Sequence, residues 1–130
     1  MDVLRWENQQ LLILDQTLLP HRTEYLTCTH YRDVAKAISL LQVRGAPAIG
    51  IAAAYGYALA AFNYSEDQEE GLESYLKKAA QELLDTRPTA VNLRWALEQM
   101  GRAYRTVKDK PLDEVREHLL EVAKGIHRDE

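Results

Sequence analysis

Thr23-Glu24-Tyr25-Leu26-Thr27-Cys28-Thr29-His30-Tyr31-Arg32-Asp33-Val34-Ala35-Lys36-Ala37-Ile38 is where this chain changes its period. Up to Thr29 the run holds Thr, Tyr and Cys at strand-like positions, and these residues suit a pleated, half-buried surface. From Tyr31 on, Val34, Ala37, Ile38 and Leu41 recur at i, i+3, i+4 and i+7, which marks one face of a helix. Upstream, Val3 to Glu7 and Gln10 to Asp15 read as two strands joined at Asn8-Gln9. Those two central residues are not the favoured Asn-Gly pair, so the turn type stays open.

Downstream of Ile38 every apolar pattern is helical. Arg44-Gly45 is read as the end of the first helix, with Gly45 as its C-terminal cap. Pro47 suits the first turn of a second helix that runs to about Asn63, because a missing N–H costs nothing there. Leu72, Tyr75, Leu76, Ala79, Ala80, Leu83 and Leu84 define a third. Thr89 is the expected N-cap of a fourth, through Val91, Leu93, Leu97, Met100 and Tyr104. Val115, Leu119, Val122 and Ile126 lie along a fifth. The class is therefore α+β: a small N-terminal antiparallel three-stranded sheet, then a cluster of about five helices. We expect a single domain over 1–130, β-rich over 1–29 and helical over 30–130.

Composition narrows the function classes. The chain has 130 residues, 46% of them hydrophobic, enough for one ordinary core. Its 16 basic and 20 acidic residues leave a formal charge of -4. That balance argues against a nucleic-acid binder, which carries a basic surplus. Cys28 is the single cysteine; it allows no internal disulfide and points to a reducing, cytoplasmic setting. The N-terminus lacks the basic and apolar blocks of a signal peptide. Ala48 to Phe62 is uncharged for fifteen residues, short of the roughly 20 that a bilayer requires. It reads as a buried helix, and no membrane partner is expected. The four histidines show no metal-ligand spacing, so neither a metal nor a cofactor is expected.

Two stretches carry candidate chemistry. In Val43-Arg44-Gly45-Ala46-Pro47-Ala48-Ile49-Gly50, a glycine lets the backbone turn sharply and approach a ligand. The helix that follows presents unpaired N–H groups and a partial positive charge, which together favour an anion such as phosphate. Arg44 adds a planar fork of donors. Arg87-Pro88-Thr89-Ala90-Val91-Asn92 repeats the layout, and two arginines at two helix starts could converge on one anion. The alternative for each stretch is an ordinary helix junction with a solvated arginine. Cys28 has no adjacent cation to lower its pKa and reads as a small buried hydrophobe.

Three segments resemble methylthioribose-1-phosphate isomerases. Leu14-Asp15-Gln16-Thr17-Leu18-Leu19-Pro20 is similar to that family's "LDQ…LP" signature. Val43 to Gly50 is similar to its "VRGAPAIG" junction, and Arg87 to Leu93 matches "RPTAVNL". The order and approximate separations agree across the chain. The wider superfamily includes ribose-1,5-bisphosphate isomerases and the alpha, beta and delta subunits of translation initiation factor 2B.

The resemblance implies an aldose–ketose isomerase of methionine salvage, acting on a sugar phosphate. It converts 5-methylthioribose 1-phosphate to 5-methylthioribulose 1-phosphate. It further implies that Arg44, Gly45, Ala46 and Arg87 contact substrate. The catalytic Cys and acid/base Asp of the family belong to a larger Rossmann-like C-terminal domain, and no catalytic residue is expected within these 130 residues. On their own they are expected to be inactive. The family also implies a homodimer, formed largely through that other domain. The competing readings are a related regulatory or interaction module without chemistry, a ribose-1,5-bisphosphate isomerase, and a plain helical packing domain.

Overall fold

A computed structural model describes residues 2–129; Met1 and Glu130, the ends of the expected domain, lie outside the described residues. Strands β1 (Leu4–Glu7), β2 (Gln10–Leu14) and β3 (Tyr25–Cys28) are followed by helices α1 (Tyr31–Ser39), α2 (Ala46–Asn63), α3 (Leu72–Thr86), α4 (Val91–Val107) and α5 (Leu112–Arg128). The α+β expectation is met, with the sheet first and the helices after it.

The sheet is antiparallel in the order β1-β2-β3, with Leu4 opposite Ile13 and Leu11 opposite Cys28. Asn8 (φ 51°) and Gln9 (φ 60°) both take left-handed backbone. That pair of positive φ angles belongs to the turn whose twist matches a tight hairpin. Leu4, Leu11, Ile13 and Cys28 are all buried on the face turned toward the helices. The pleat alternation thus seals one side of the sheet.

Helix α2 is the axis of the molecule. Every residue from Ile49 to Ala61 is buried, as expected of a helix with no polar face. It touches α1, α3, α4, α5 and β2. Small side chains permit that crowding: a Cβ on Gly56 would lie 3.2 Å from Leu83 and 3.3 Å from Val34.

Two helix boundaries differ from the sequence reading. α1 ends at Ser39, and Gln42 N–H donates to the Ala37 carbonyl at 2.9 Å. Leu41, at φ 60°, takes the left-handed position that glycine usually fills in such a closure. Leu41 therefore leaves the apolar face and is 47% exposed. Gly45 does not cap α1; it is the N-cap of α2. At α4 the N-cap is Ala90, with no side-chain hydrogen bond, so Thr89 is not the cap. Val91 is 77% exposed and does not join the core.

Candidate functional site

The two arginine-bearing segments start the two helices that pack side by side at the centre of the fold. Gly50, in the second turn of α2, lies against the backbone of Asn92 in the first turn of α4. A Cβ on Gly50 would stand 3.0 Å from the Asn92 carbonyl oxygen. Only a residue without a side chain lets the helix starts meet so closely. Between them opens a cavity of about 160 Å³ lined by Pro47, Gly50, Ile51, Asn92, Trp95, Ala96 and Ile126. Both segments contribute to its wall.

The ends of α2 are treated differently. At the C-terminal end Arg116 donates from Nε to the Ala61 carbonyl (2.8 Å) and from Nη2 to the Tyr64 carbonyl (2.7 Å). Asn63 bridges there too, accepting from Tyr31 N–H at 3.0 Å and donating to the Thr29 carbonyl at 2.8 Å. At the N-terminal end no side chain caps the helix, and Gly45, Ala46 and Pro47 are exposed. The start of α4 likewise lacks a side-chain cap. In both helices the first-turn N–H groups, Pro47 having none, lack a side-chain acceptor, with the positive end of the helix dipole behind them.

Gly45 has φ 90° and ψ 133°, backbone that side-chain-bearing residues rarely adopt. Arg44 is exposed and donates from Nε to the Leu41 carbonyl at 3.2 Å. Ala46 is the first residue of α2. Arg87 is the half-buried C-cap of α3. Its N–H donates to the Leu84 carbonyl at 3.2 Å, and its carbonyl accepts from Ala90 N–H at 2.9 Å. Among the described residues neither Arg44 nor Arg87 is ion-paired, which leaves the two Nη groups of Arg44 and the guanidinium of Arg87 available to a ligand.

One pair escaped the residue-by-residue reading. Asp15, just after β2, is 5% exposed. It accepts hydrogen bonds from Thr17 N–H (3.0 Å), Thr17 Oγ1 (2.6 Å) and Gln42 Nε2 (3.1 Å). Gln16 N–H donates back to the Gln42 carbonyl at 3.1 Å. The "LDQ" segment is thereby tied to the residue two before Arg44, and the buried Val43 anchors the next. The hydrogen bonds from Thr17 hold the Asp15 carboxyl below its ordinary value, outweighing the opposing effect of burial. The signal in the sequence was an Asp closing an apolar strand with a Thr two residues on, a pattern that favours a local side-chain turn.

Neither Asp15 nor Cys28 suits proton transfer or nucleophilic attack at neutral pH. Asp15 is held ionised by its donors. Burial pushes the Cys28 thiol up to about 12, so the reactive thiolate is scarce. Among the described residues no group of three His, Cys, Asp or Glu side chains could hold a metal ion, and no helix is long and apolar enough to cross a membrane.

Comparison with known proteins places the chain among relatives. The Initiation factor 2 subunit family (IF-2B) matches residues 42–130. A methylthioribose-1-phosphate isomerase of Carboxydothermus hydrogenoformans is 47% identical over 97% of this chain and 36% of its own length. The isomerase of Desulforamulus reducens is 45% identical over all of this chain and 38% of its own. The chain thus spans little more than a third of the curated relatives it matches. The crystal structure of 5-methylthioribose 1-phosphate isomerase from Pyrococcus horikoshii superposes with a TM-score of 0.91 at 35% identity, over 98% of this chain and 36% of that one. The translation initiation factor eIF-2B subunit delta of A. fulgidus superposes with a TM-score of 0.90 at 39% identity, over 99% of this chain and 37% of that one. With the family matching more than half of its residues, and with the three motifs in order on this fold, the chain belongs to the Initiation factor 2 subunit family.

Proposed function

We propose that this chain forms one wall of the substrate site in an aldose–ketose isomerase that converts 5-methylthioribose 1-phosphate to 5-methylthioribulose 1-phosphate. Arg44, Gly45, Ala46 and Arg87 contact the sugar phosphate. The observation that carries the reading is the contact of Gly50 with Asn92. It sets two uncapped helix starts beside each other, each preceded by an arginine without an ion pair. A phosphate accepts hydrogen bonds from first-turn N–H groups and from guanidinium forks, and the helix dipoles favour its charge. The glycine at 45 brings backbone rather than side chain to the ligand.

The chemistry itself is assigned elsewhere. An aldose–ketose isomerisation moves hydrogen between neighbouring carbons and needs groups that exchange protons near neutral pH. The buried Cys28 thiol and the ionised Asp15 are unsuited to that work. The relatives are nearly three times as long as this chain, and the acid/base and nucleophilic residues belong to their additional length. The full protein works in the cytoplasm and dimerises largely outside these 130 residues.

The test is a turnover assay on the full-length protein with 5-methylthioribose 1-phosphate, following the ketose product. Turnover by the full-length protein and none by residues 1–130 supports the reading. Full turnover by the 130 residues alone contradicts it. A second reading draws on the likeness to the eIF-2B subunit: a regulatory module that keeps the fold without catalysis. Sugar phosphate binding with no turnover by the full-length protein would favour that one.

A further inference from the structure

A large groove involves neither arginine motif's helix start. It runs between α3 and α4, about 550 Å³ in volume, and its polar lining is Lys77, Gln81, Arg94, Glu98, Arg102 and Arg105. A second hollow of about 260 Å³ shares Lys77, Ala80, Leu97, Gly101 and Arg105 with it and extends it to Tyr57, Tyr104 and Lys108. The two hollows adjoin along those shared residues.

The groove's floor and rim have different chemistry. Ala80, Leu84, Leu97 and Gly101 make an apolar floor. Gly101 adds no side chain there, and Ala80 little. On α4 the rim follows 94, 98, 102 and 105, one stripe of the helix surface; on α3 it follows 77 and 81, again one stripe. Across both hollows the charged side chains are Lys77, Arg94, Arg102, Arg105 and Lys108 against Glu73 and Glu98. The chain as a whole is acidic, with formal charge -4, so this face reverses the sign of the rest. Lys77 pairs with Glu73 at 3.5 Å, and Arg94 donates to the Pro88 carbonyl at 3.3 Å. Among the described residues Arg102, Arg105 and Lys108 have no ion-pair partner.

From Arg94 to Lys108 the groove follows α4 for about 21 Å, at ~1.5 Å per residue. Along that rim the apolar floor runs from Leu97 through Gly101 to Tyr104, so an amphipathic helix of about four turns would set its central apolar residues on the floor and its flanking turns against the cations. Its leucines would sit on Leu84 and Leu97, and its carboxylates would meet the arginines. We infer that the α3–α4 groove is a docking site for an acidic amphipathic helix of a partner protein. The acidic surplus of the chain disfavours nucleic acid as the occupant, because backbone phosphates would be repelled beyond the groove. Opposite potentials across such a surface raise association rates and select the partner.

The test uses the full-length protein and a fluorescein-labelled helical peptide of fourteen residues, with leucines on one face and glutamates on the other. Fluorescence anisotropy is expected to show micromolar binding that weakens as salt is raised. R102E/R105E should weaken it at least tenfold. Both side chains are exposed, and unchanged circular dichroism checks the fold. A charge-reversed peptide with lysines for glutamates makes the same test without altering the protein, and should not bind. Absence of binding, equal binding of the two peptides, or equal binding of a fourteen-nucleotide single-stranded RNA would overturn the inference.

Discussion

Gly50 and Asn92 are in contact where α2 and α4 begin: the position of a Cβ on Gly50 is 3.0 Å from the Asn92 carbonyl oxygen and 3.3 Å from its Cβ. The neighbour is helix backbone and cannot swing aside. G50A should therefore destabilise the protein, because overpacking a close contact costs about 1–3 kcal/mol. The better helix propensity of alanine offsets about 1 kcal/mol of that. G50V, bulkier and β-branched, should cost distinctly more. Urea denaturation of the two variants checks the order.

Gly45 makes the opposite case. A Cβ there meets nothing within 4 Å, yet the backbone sits at φ 90°. G45A should cost about 1–3 kcal/mol through backbone strain alone. It should also weaken sugar phosphate binding, because relaxing the strain re-aims the first N–H groups of α2. Thermal denaturation and ligand titration on the same variant separate the two effects.

Asp15 supplies a pH dependence. Its folded pKa lies below the ordinary aspartate value, chiefly through the Thr17 hydrogen bonds. The unfolded chain therefore binds the proton more readily than the native one. The stabilisation is complete above about pH 5, a unit over the ordinary aspartate value, and is lost as pH falls through the lowered native value. D15N should be destabilised by roughly 2 kcal/mol at pH 7, the scale of lost hydrogen bonds to a charged group. Its deficit should shrink in acid. Stability measured from pH 7 down to pH 2.5 gives both curves.

Cys28 should be inert in the native protein. It is buried, with its thiol pushed up to about 12. Native protein at pH 8 should resist iodoacetamide, while urea-unfolded protein reacts at once. C28A should leave sugar phosphate binding unchanged. Mass spectrometry after alkylation reads the first claim, and calorimetry the second.

Much of this arrangement was legible from residue patterns, and the misses have local causes. The strand-to-helix switch at Tyr31 and the α2 span to Asn63 follow from period and composition. The i+7 periodicity puts Leu41 on the α1 face, because it continues past the point where Gln42 turns back to Ala37. Periodicity cannot see that closure, which puts a leucine in backbone normally left to glycine. Thr89 looked like a cap, yet Ala90 holds that place, because the turn from Arg87 to Ala90 sets the start of α4. Val91 has the residue type of a core position but the exposure of a surface one. At the site, Arg44, Gly45, Ala46 and Arg87 stand out by residue type at helix starts. The contact that brings the two starts together is tertiary, and no local pattern announces Gly50 against Asn92. The Asp15–Gln42 tie is also long-range, spanning 27 positions.

The central claim is that Arg44 and Arg87 serve one sugar phosphate at two adjoining helix starts. Isothermal titration of the full-length protein with 5-methylthioribose 1-phosphate, alongside R44A, R87A and the double variant, tests it most directly. Each single change should weaken binding about tenfold or more, the scale of one lost charge-assisted pair at roughly 1.5–3 kcal/mol. The double variant should depart from the sum of the two, as groups sharing one ligand do. Binding unchanged in both single variants would contradict the account.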